Sequence, residues 1–276
     1  MAAPPAAGAL PASLTLVGAG KMGGAMLEGW LAAGLDPKRT TIVEADPSDA
    51  LRALCTARGL ALNPATVAPA AVLVLAIKPQ GFADAAPGLD RMIGPGTVVM
   101  SILAGKTVAD IEGRLPSARA IVRAMPNLPA SIGRGATGAV ANAAVTAGQR
   151  AAVAALLGAN GLVEWVGSEA EIDAVTALSG SGPAYVFLMV EAMTEAGIAA
   201  GLDPQVAARL ARATISGAGA LLDASDLPAS ELRRNVTSPG GTTAAALDVL
   251  MRDDALGPLM REAVAAAKRR AGELAG

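Results

Sequence analysis

Residues 14–23 read LTLVGAGKMG, a short apolar run that leads into a turn with glycines at positions 18, 20 and 23. GxGxxG spacing between a buried strand and a helix lets the backbone approach a pyrophosphate at the positively polarised start of the helix. An ordinary strand-to-helix turn is the alternative reading. The strand before the turn, the helix after it and an acidic strand end downstream favour a dinucleotide site.

The first part of the chain alternates strand and helix patterns. Further strand-like runs are TTIVEAD, AVLVLAI, TVVMSIL and AIVRAM, and ATGAVAN and LVEWVG are expected as edge strands. This alternation predicts an α/β fold with a Rossmann-type doubly wound parallel sheet. From about Ser168 only helical patterns follow. We therefore predict a flexible leader at residues 1–11, a dinucleotide-binding domain at residues 12–167 and an all-helical domain at residues 168–276.

Composition excludes several classes of function. The chain has 22 Lys and Arg against 24 Asp and Glu and no basic stripe, so neither nucleic acid nor a membrane surface is predicted as a partner. It has no histidine, which removes imidazole bases, Ser-His and Cys-His nucleophiles and most zinc sites, and no metal is predicted. The single cysteine, Cys55, fits a reducing compartment, and a cytoplasmic location is predicted.

Two strand ends in the first domain carry polar residues. Glu44-Ala45-Asp46-Pro47 closes the second strand, where an acidic side chain accepts hydrogen bonds from the adenosine ribose of NAD and repels the 2′-phosphate of NADP. A solvated turn explains the same residues equally well. The third strand ends in AIKPQ, so Lys78 lies at the carboxyl edge where open sheets bind ligands. A lysine that extends its ammonium group into solvent is the alternative.

The helical domain contains NVTSPGGTT at residues 235–243. Converging backbone amides and a helix N-terminus at this loop predict a site for a small anion, helped by the hydroxyls of Ser238 and Thr243. A helix cap made by Thr242 or Thr243 is the alternative, although two consecutive glycines exceed what a cap requires. In SGSGPAY, Ser181 suits an N-cap and Pro183 a first helical turn, and structural and functional readings are both open.

The chain resembles the pyrroline-5-carboxylate reductase family in five segments, GAGKMG, AIKPQ, RAMPNLP, LSGSGPAY and NVTSPGGTT. Their order and spacing match the family, and the resemblance covers essentially the whole chain after the leader. The resemblance implies a Rossmann-type domain followed by an all-helical dimerisation domain that interlocks with a second subunit, in a homodimer or a higher oligomer of dimers. It also implies reduction of 1-pyrroline-5-carboxylate to L-proline, the last step of proline biosynthesis, with NADPH or NADH as hydride donor. A protonated imine is already an electrophile, so no acidic or basic side chain is required.

The resemblance also implies site residues. The dinucleotide is expected along the glycine turn and the third strand end, at Val17, Gly18, Ala19, Gly20, Lys21, Met22, Gly23, Ala76, Ile77, Lys78 and Pro79. The substrate carboxylate is expected at Ser238, Gly240, Gly241, Thr242 and Thr243, with Thr243 as the catalytic residue that orients the substrate. Asn235 is expected near the nicotinamide and Asn63 near the adenine. Many relatives have a small hydroxyl residue in place of Asp46, so Asp46 favours use of NADH where the family favours NADPH.

Two other functions remain open on the sequence. A β-hydroxyacid-type dehydrogenase shares the glycine motif but needs a lysine base in the helical domain, where Lys268 is the one lysine. A non-catalytic dinucleotide sensor would keep the glycine turn and would not need a carboxylate loop.

Overall fold

The computed structural model describes residues 9–275, which include an eight-stranded sheet. The strands are β1 (Leu14–Val17), β2 (Thr40–Val43), β3 (Ala61–Leu62), β4 (Val72–Leu75), β5 (Val98–Ser101), β6 (Ala120–Met125), β7 (Gly135–Ala141) and β8 (Gly161–Trp165). Their order is β3-β2-β1-β4-β5-β6-β7-β8. All neighbours are parallel except β6 and β7. The chain crosses over between β3 and β4, which is the strand order of a Rossmann sheet.

Helices cover both faces of this sheet. They are α1 (Lys21–Ala32), α2 (Asp49–Arg58), α3 (Phe82–Asp90), α4 (Val108–Arg114), α5 (Ala147–Gly158) and α6 (Glu169–Val175). In β4, Val74 packs in one apolar cluster with Trp30, whereas its neighbour Leu73 packs in a second cluster with Phe82. Successive side chains of a strand point to opposite faces, so the two clusters are the two buried faces of a doubly wound sheet.

Trp30 is the largest side chain in the first cluster and is completely buried. Its indole Nε1 donates a hydrogen bond to the carbonyl oxygen of Leu156 in α5 at 2.8 Å. The other tryptophan, Trp165, ends β8, and the guanidinium of Arg150 lies 3.9 Å from the centre of its ring. Both tryptophans therefore belong to the compact unit that contains the sheet, which comprises residues 9–180 and 267–275.

A second compact unit comprises residues 181–266 and contains helices. These are α7 (Gly182–Ala199), α8 (Pro204–Ala224), α9 (Ala229–Asn235), α10 (Thr242–Leu250) and the first part of α11 (Leu256–Ala275). Four consecutive apolar side chains of α7 are between 38% and 63% exposed, namely Val186, Phe187, Leu188 and Met189. Consecutive residues of a helix point to different sides, so α7 exposes apolar side chains around much of its circumference, which is typical of a helix that packs against a partner.

The predicted strands and helices are found with small shifts at their ends. The run TTIVEAD is a strand only as far as Val43, so Glu44 and Asp46 lie in the loop that follows. The prediction of ATGAVAN as an edge strand is wrong, because β7 pairs with both β6 and β8. In the part of the chain where helical patterns were predicted, α6 ends at Val175 and the chain continues as a π-helical turn, Thr176–Gly180.

The compact units divide the chain between Gly180 and Ser181, whereas the predicted division lies between residues 167 and 168. Helix α6 accounts for this difference, because it packs against β6 and β7 and belongs to the unit with the sheet. The predicted leader at residues 1–11 lies outside the described residues except for residues 9–11, which form neither helix nor strand. No helix within residues 9–275 is long and apolar enough to cross a membrane.

Candidate active site

The glycine turn between β1 and α1 lies tightly against the end of β4. Gly18 has a φ of +92°, and a Cβ added there would lie 2.6 Å from the carbonyl carbon of Ala76. A Cβ at Gly23 would collide with the carbonyl oxygen of Gly18. Gly20 differs, because nothing lies within 4 Å of a Cβ built on it. Gly18 and Gly23 therefore permit the tight turn, whereas Gly20 faces open space.

A cavity of about 530 Å³ opens at this turn. Its lining consists of the turn, the start of α1 and the loop after β2, with residues Ala19, Gly20, Lys21, Gly24, Ala25, Glu28, Glu44, Asp46, Ser48 and Ser131. The first amides of a helix have no carbonyl partner within the helix, and the helix dipole adds positive potential there. Open space at Gly20 beside the start of α1 therefore fits the pyrophosphate of a dinucleotide.

The end of β4 brings the second predicted cofactor segment to the same edge of the sheet. Val17 pairs with Leu75 in the parallel strands β1 and β4, and the amide of Ala76 donates to the carbonyl oxygen of Val17 at 2.8 Å. Lys78 follows as an exposed residue at the start of a 3-10 turn. The segments 17–23 and 76–79 are thus adjacent, and their contact with a cofactor stays a prediction.

The loop after β2 contributes a residue that the sequence analysis did not select. Glu44 is the first residue after β2, and its Oε2 accepts a hydrogen bond from the amide of Ala19 at 2.7 Å. Its Oε1 accepts a second hydrogen bond, from the amide of Asp46 at 3.2 Å. Both acidic residues line the cavity. The signal that distinguishes Glu44 is its place directly after the strand, where Rossmann folds carry their ribose-binding acid.

Asn63 lies beside Glu44 and is bonded to its backbone. The amide of Glu44 donates to Oδ1 of Asn63 at 2.9 Å, and Nδ2 of Asn63 donates to the carbonyl oxygen of Glu44 at 2.8 Å. The side chain of Asn63 is therefore engaged with the loop after β2. Its predicted contact with the adenine stays a prediction.

The segment at residues 235–243 connects α9 to α10 in the helical unit. Helix α9 ends at Asn235, and the amide of Gly241 then donates to the carbonyl oxygen of Ser238 at 3.0 Å. Gly240 has a φ of +67°, which the third position of a Pro-Gly turn requires. The structure has Gly241 as the N-cap of α10, without a side-chain cap.

Thr242 and Thr243 are the first residues of α10 and not its cap, so the capping alternative is wrong. The loop is accessible within the chain, because Ser238, Gly240 and Thr242 are exposed and Thr243 is half-buried. The start of α10 therefore presents backbone amides and the positive end of a helix dipole, an arrangement that fits a carboxylate.

Asn127 links the loop after β6 to the π turn. Its Nδ2 donates to the carbonyl oxygen of Ser179 at 3.0 Å, and its Oδ1 accepts from the amide of Ala136 at 2.8 Å. Because β6 runs parallel to β5, β4 and β1, this loop lies at the same carboxyl edge as the glycine turn. π turns within helices often mark functional sites. In the helical unit, Ser181 is the N-cap position of α7 without a side-chain capping bond, and Pro183 lies in the first turn, so the functional reading of this motif stays open.

Arg123 in β6 is a buried arginine to which the sequence analysis assigned no role. Its side chain is 6% exposed, with Nη1 3.0 Å from Oε1 of Glu169 and Nη2 3.8 Å from Oδ1 of Asp173. Oε1 of Glu169 also accepts from the amide of Val108 at 2.7 Å. Arg123 therefore joins α6 and α4 to the sheet.

The chemistry available to these groups is binding and positioning. Within residues 9–275 no cluster of three or more His, Cys, Asp and Glu side chains is placed to bind a metal ion. Cys55 is buried in the core, and burial raises the pKa of its thiol. The loops at the glycine turn and at α10 offer backbone amides and hydroxyls.

Comparisons with known proteins agree with this arrangement. Residues 169–274 match the model of the pyrroline-5-carboxylate reductase dimerisation domain, which indicates a homo-oligomer. Residues 13–105 match the model of the coenzyme F420-dependent NADP oxidoreductases.

Several relatives are similar over nearly their whole length. The pyrroline-5-carboxylate reductase of Pseudomonas aeruginosa is 40% identical, over 95% of this chain and 96% of the relative. The enzyme of the same name from Pisum sativum is 34% identical, over 93% and 94%.

Solved structures show the same fold. A pyrroline-5-carboxylate reductase from Coxiella burnetii has a TM-score of 0.89 and 37% identity, over 96% of this chain and 98% of that one. A pyrroline carboxylate reductase from Plasmodium falciparum, solved with NADP bound, has a TM-score of 0.77 and 25% identity, over 97% of this chain and 100% of that one. By its sequence, its glycine turn and its two matched domains, the chain belongs to the pyrroline-5-carboxylate reductase family.

Proposed function

We propose that this chain reduces 1-pyrroline-5-carboxylate to L-proline, the last step of proline biosynthesis, with NADPH or NADH as hydride donor. The observation that carries the substrate assignment is the loop before α10, where a Pro-Gly turn precedes a helix N-terminus without a side-chain cap. Backbone amides at such a point bind a carboxylate without a basic side chain. The names of the relatives, which are similar over nearly the whole chain, support the same substrate.

The glycine turn and the end of β4 hold the cofactor in this proposal. The amides at the start of α1 bind the pyrophosphate at Gly20, where the backbone faces open space. Ala76, Ile77, Lys78 and Pro79 extend the same surface along the carboxyl edge of the sheet. When bound, the reduced nicotinamide supplies the hydride that adds to the carbon of the ring C=N bond.

The loop before α10 holds the substrate. The first amides of α10, at Thr242 and Thr243, and the hydroxyl of Ser238 bind the carboxylate, and the turn at Gly240 and Gly241 allows them to converge. The hydroxyl of Thr243 orients the ring or its nitrogen. Asn235, the last residue of α9, contacts the nicotinamide end of the cofactor.

The reaction does not need a proton from a side chain. A protonated imine accepts a hydride at carbon and becomes the secondary amine of proline, so charge and atoms balance without a protein acid. This agrees with a chain that has no histidine. The contribution of the protein is to hold the two reactants in contact and in the correct orientation.

We also propose that the active form is a homodimer or a higher oligomer built from dimers, located in the cytoplasm. The exposed apolar side chains of α7 and the match to a dimerisation model support the assembly. Cys55 is buried and is the single cysteine, so the chain has no internal disulfide that needs an oxidising compartment.

The test is oxidation of NADH and of NADPH in the presence of pyrroline-5-carboxylate, followed for the wild type, Thr243→Ala and Thr214→Ala. We expect Thr243→Ala to lower kcat/KM about tenfold or more, because a hydrogen bond to a charged group contributes about 1.5–3 kcal/mol. Thr214 is exposed on α8, outside the proposed site, and its variant should match the wild type. Binding of both cofactors without turnover would favour a dinucleotide sensor. Turnover of a β-hydroxyacid in place of the imine would favour the dehydrogenase.

A further inference from the structure

Glu44 occupies a fixed position at the glycine turn. Its carboxylate accepts one hydrogen bond from the amide of Ala19, between Gly18 and Gly20, and another from the amide of Asp46. Both bonds come from the backbone, so they hold the carboxylate in place without neutralising its charge. Asp46 takes part in this arrangement through its main chain.

Asn63 holds the backbone of Glu44 from the other side. Its side-chain amide bonds both the N–H and the C=O of Glu44, at 2.9 Å and 2.8 Å. Its own amide donates to the carbonyl oxygen of Ile42 at 2.8 Å, which continues the pairing at the end of β2. Asn63 has a φ of +47°, a left-handed conformation that asparagine adopts more readily than most residues. The start of the loop after β2 is thus fixed on both of its sides.

The charge of the cavity is mainly negative. Glu28, Glu44 and Asp46 line it, together with a single basic residue, Lys21. The 2′-phosphate of NADP adds negative charge to the ribose, and a carboxylate at the end of the second strand of a Rossmann fold repels it. The same carboxylate accepts a hydrogen bond from the 2′-hydroxyl of NAD.

We propose that Glu44 is the residue that makes this chain select NADH over NADPH, and that Asn63 is its positioning residue. This inference rests on the proposed use of a nicotinamide cofactor. It transfers to Glu44 the role that the sequence analysis gave to Asp46. The reason is geometric, because the side chain of Glu44, and not that of Asp46, is bonded to the glycine turn.

The test is calorimetric binding of NADH and of NADPH, without substrate, to the wild type, Glu44→Gln, Asp46→Asn and Asp49→Asn. Glutamine keeps an acceptor for the amide of Ala19 and removes the charge. We expect the wild type to bind NADH about tenfold more tightly than NADPH, and Glu44→Gln to lower this ratio about tenfold, the scale of one like-charge contact. Asp46→Asn should lower the ratio less than Glu44→Gln does. Asp49 is exposed on α2 outside the cavity, so its variant controls for the loss of a nearby charge.

Asn63→Gly tests the positioning role, because glycine keeps the positive φ and removes both side-chain bonds to Glu44. We expect this variant to lower the ratio of NADH to NADPH affinity, but by less than Glu44→Gln does. An unchanged ratio in Asn63→Gly would overturn the positioning role. A wild type that binds NADPH as tightly as NADH, or an unchanged ratio in Glu44→Gln, would overturn the role of Glu44.

The outcome does not depend on the substrate assignment. Selective NADH binding without turnover of pyrroline-5-carboxylate would support Glu44 and contradict the proposed function. Turnover of the imine together with preferred NADPH binding would do the reverse.

Discussion

The side-chain amide of Asn127 bonds two separate backbone segments, with Nδ2 donating to Ser179 at 3.0 Å and Oδ1 accepting from Ala136 at 2.8 Å. Asn127 is 8% exposed, so water does not readily replace these partners. The side chain of Asn127 therefore connects the π turn at Thr176–Gly180 to the loop after β6 and to the start of β7.

We expect Asn127→Ala to lower the free energy of unfolding by about 1–3 kcal/mol, the cost of leaving buried hydrogen-bonding groups without partners. Urea denaturation measures this change. Thr56→Ala is the control, because the hydroxyl of Thr56 bonds to Arg52 on an exposed helix face and its loss should change stability by less than about 0.5 kcal/mol. Equal stabilities of Asn127→Ala and the control would contradict the prediction.

The buried ion pair of Arg123 gives a second prediction. Arg123→Leu leaves the carboxylates of Glu169 and Asp173 without their partner, so we expect a loss of about 3 kcal/mol in the free energy of unfolding. Arg270→Leu is a matched control, because Arg270 pairs with Glu273 at 2.8 Å on the surface, where an ion pair contributes less than about 1 kcal/mol. Similar losses in the two variants would show that the burial of Arg123 has no consequence.

Helix α4 begins with a capping box, in which the side chains of Thr107 and Asp110 each accept a hydrogen bond from the other's backbone amide. This box predicts a dependence of stability on pH. Burial alone would raise the pKa of the Asp110 carboxyl, but hydrogen bonds from Thr107 and the charges of Lys106 and Arg114 hold this pKa below its ordinary value. A carboxyl with a lowered folded-state pKa contributes stability above its unfolded-state pKa of about 3.9 and loses it as pH falls through the folded-state value.

We therefore expect Asp110→Asn to be less stable than the wild type by about 0.5–1 kcal/mol near pH 7, the scale of one helix cap. The difference should shrink as pH falls below about 4. Denaturation curves at neutral and acidic pH measure it. A difference that stays constant across this range would show that the charge of Asp110 does not matter.

The apolar surface of α7 predicts that assembly depends on it. Leu188 is 63% exposed within the chain, so Leu188→Glu should weaken the homo-oligomer by placing a charge in the interface. Leu162→Glu is the matched control, because Leu162 is 60% exposed on β8, outside the segment that matches the dimerisation model. Sedimentation velocity over a range of concentrations distinguishes the two. Dissociation of both variants, or of neither, would contradict the prediction.

Local patterns were sufficient to predict much of the fold. The spacing of three glycines between a strand and a helix predicted the turn at residues 18–23, and the change to helical patterns after about Ser168 predicted the helices of the second unit. Both features depend on residues that are close in the sequence. The neighbour and direction of β7 could not be predicted, because alternation along a strand does not show which strands it pairs with.

Less of the candidate site could be predicted from the sequence, because it depends on contacts between residues that are distant in the chain. To choose between Glu44 and Asp46 one must know at which residue β2 ends, and strand ends predicted from sequence are uncertain by a few residues. The role of Arg123 depends on Glu169, which lies 46 residues away. No local sequence pattern predicts that Arg123 and Glu169 form an ion pair. The turn and the helix start at Ser238–Thr243 could be predicted because they are contiguous in the sequence, and substrate binding at this loop stays a prediction.

The placement of the tryptophans determines what an optical experiment on this protein reports. Trp30 and Trp165 are the two tryptophans of the chain, and both lie in the unit with the sheet. Tryptophan fluorescence therefore reports the melting of that unit, while the helices of residues 181–266 contribute to circular dichroism and not to this fluorescence. Divergence of the two signals during heating would reveal that the units melt separately, without any label.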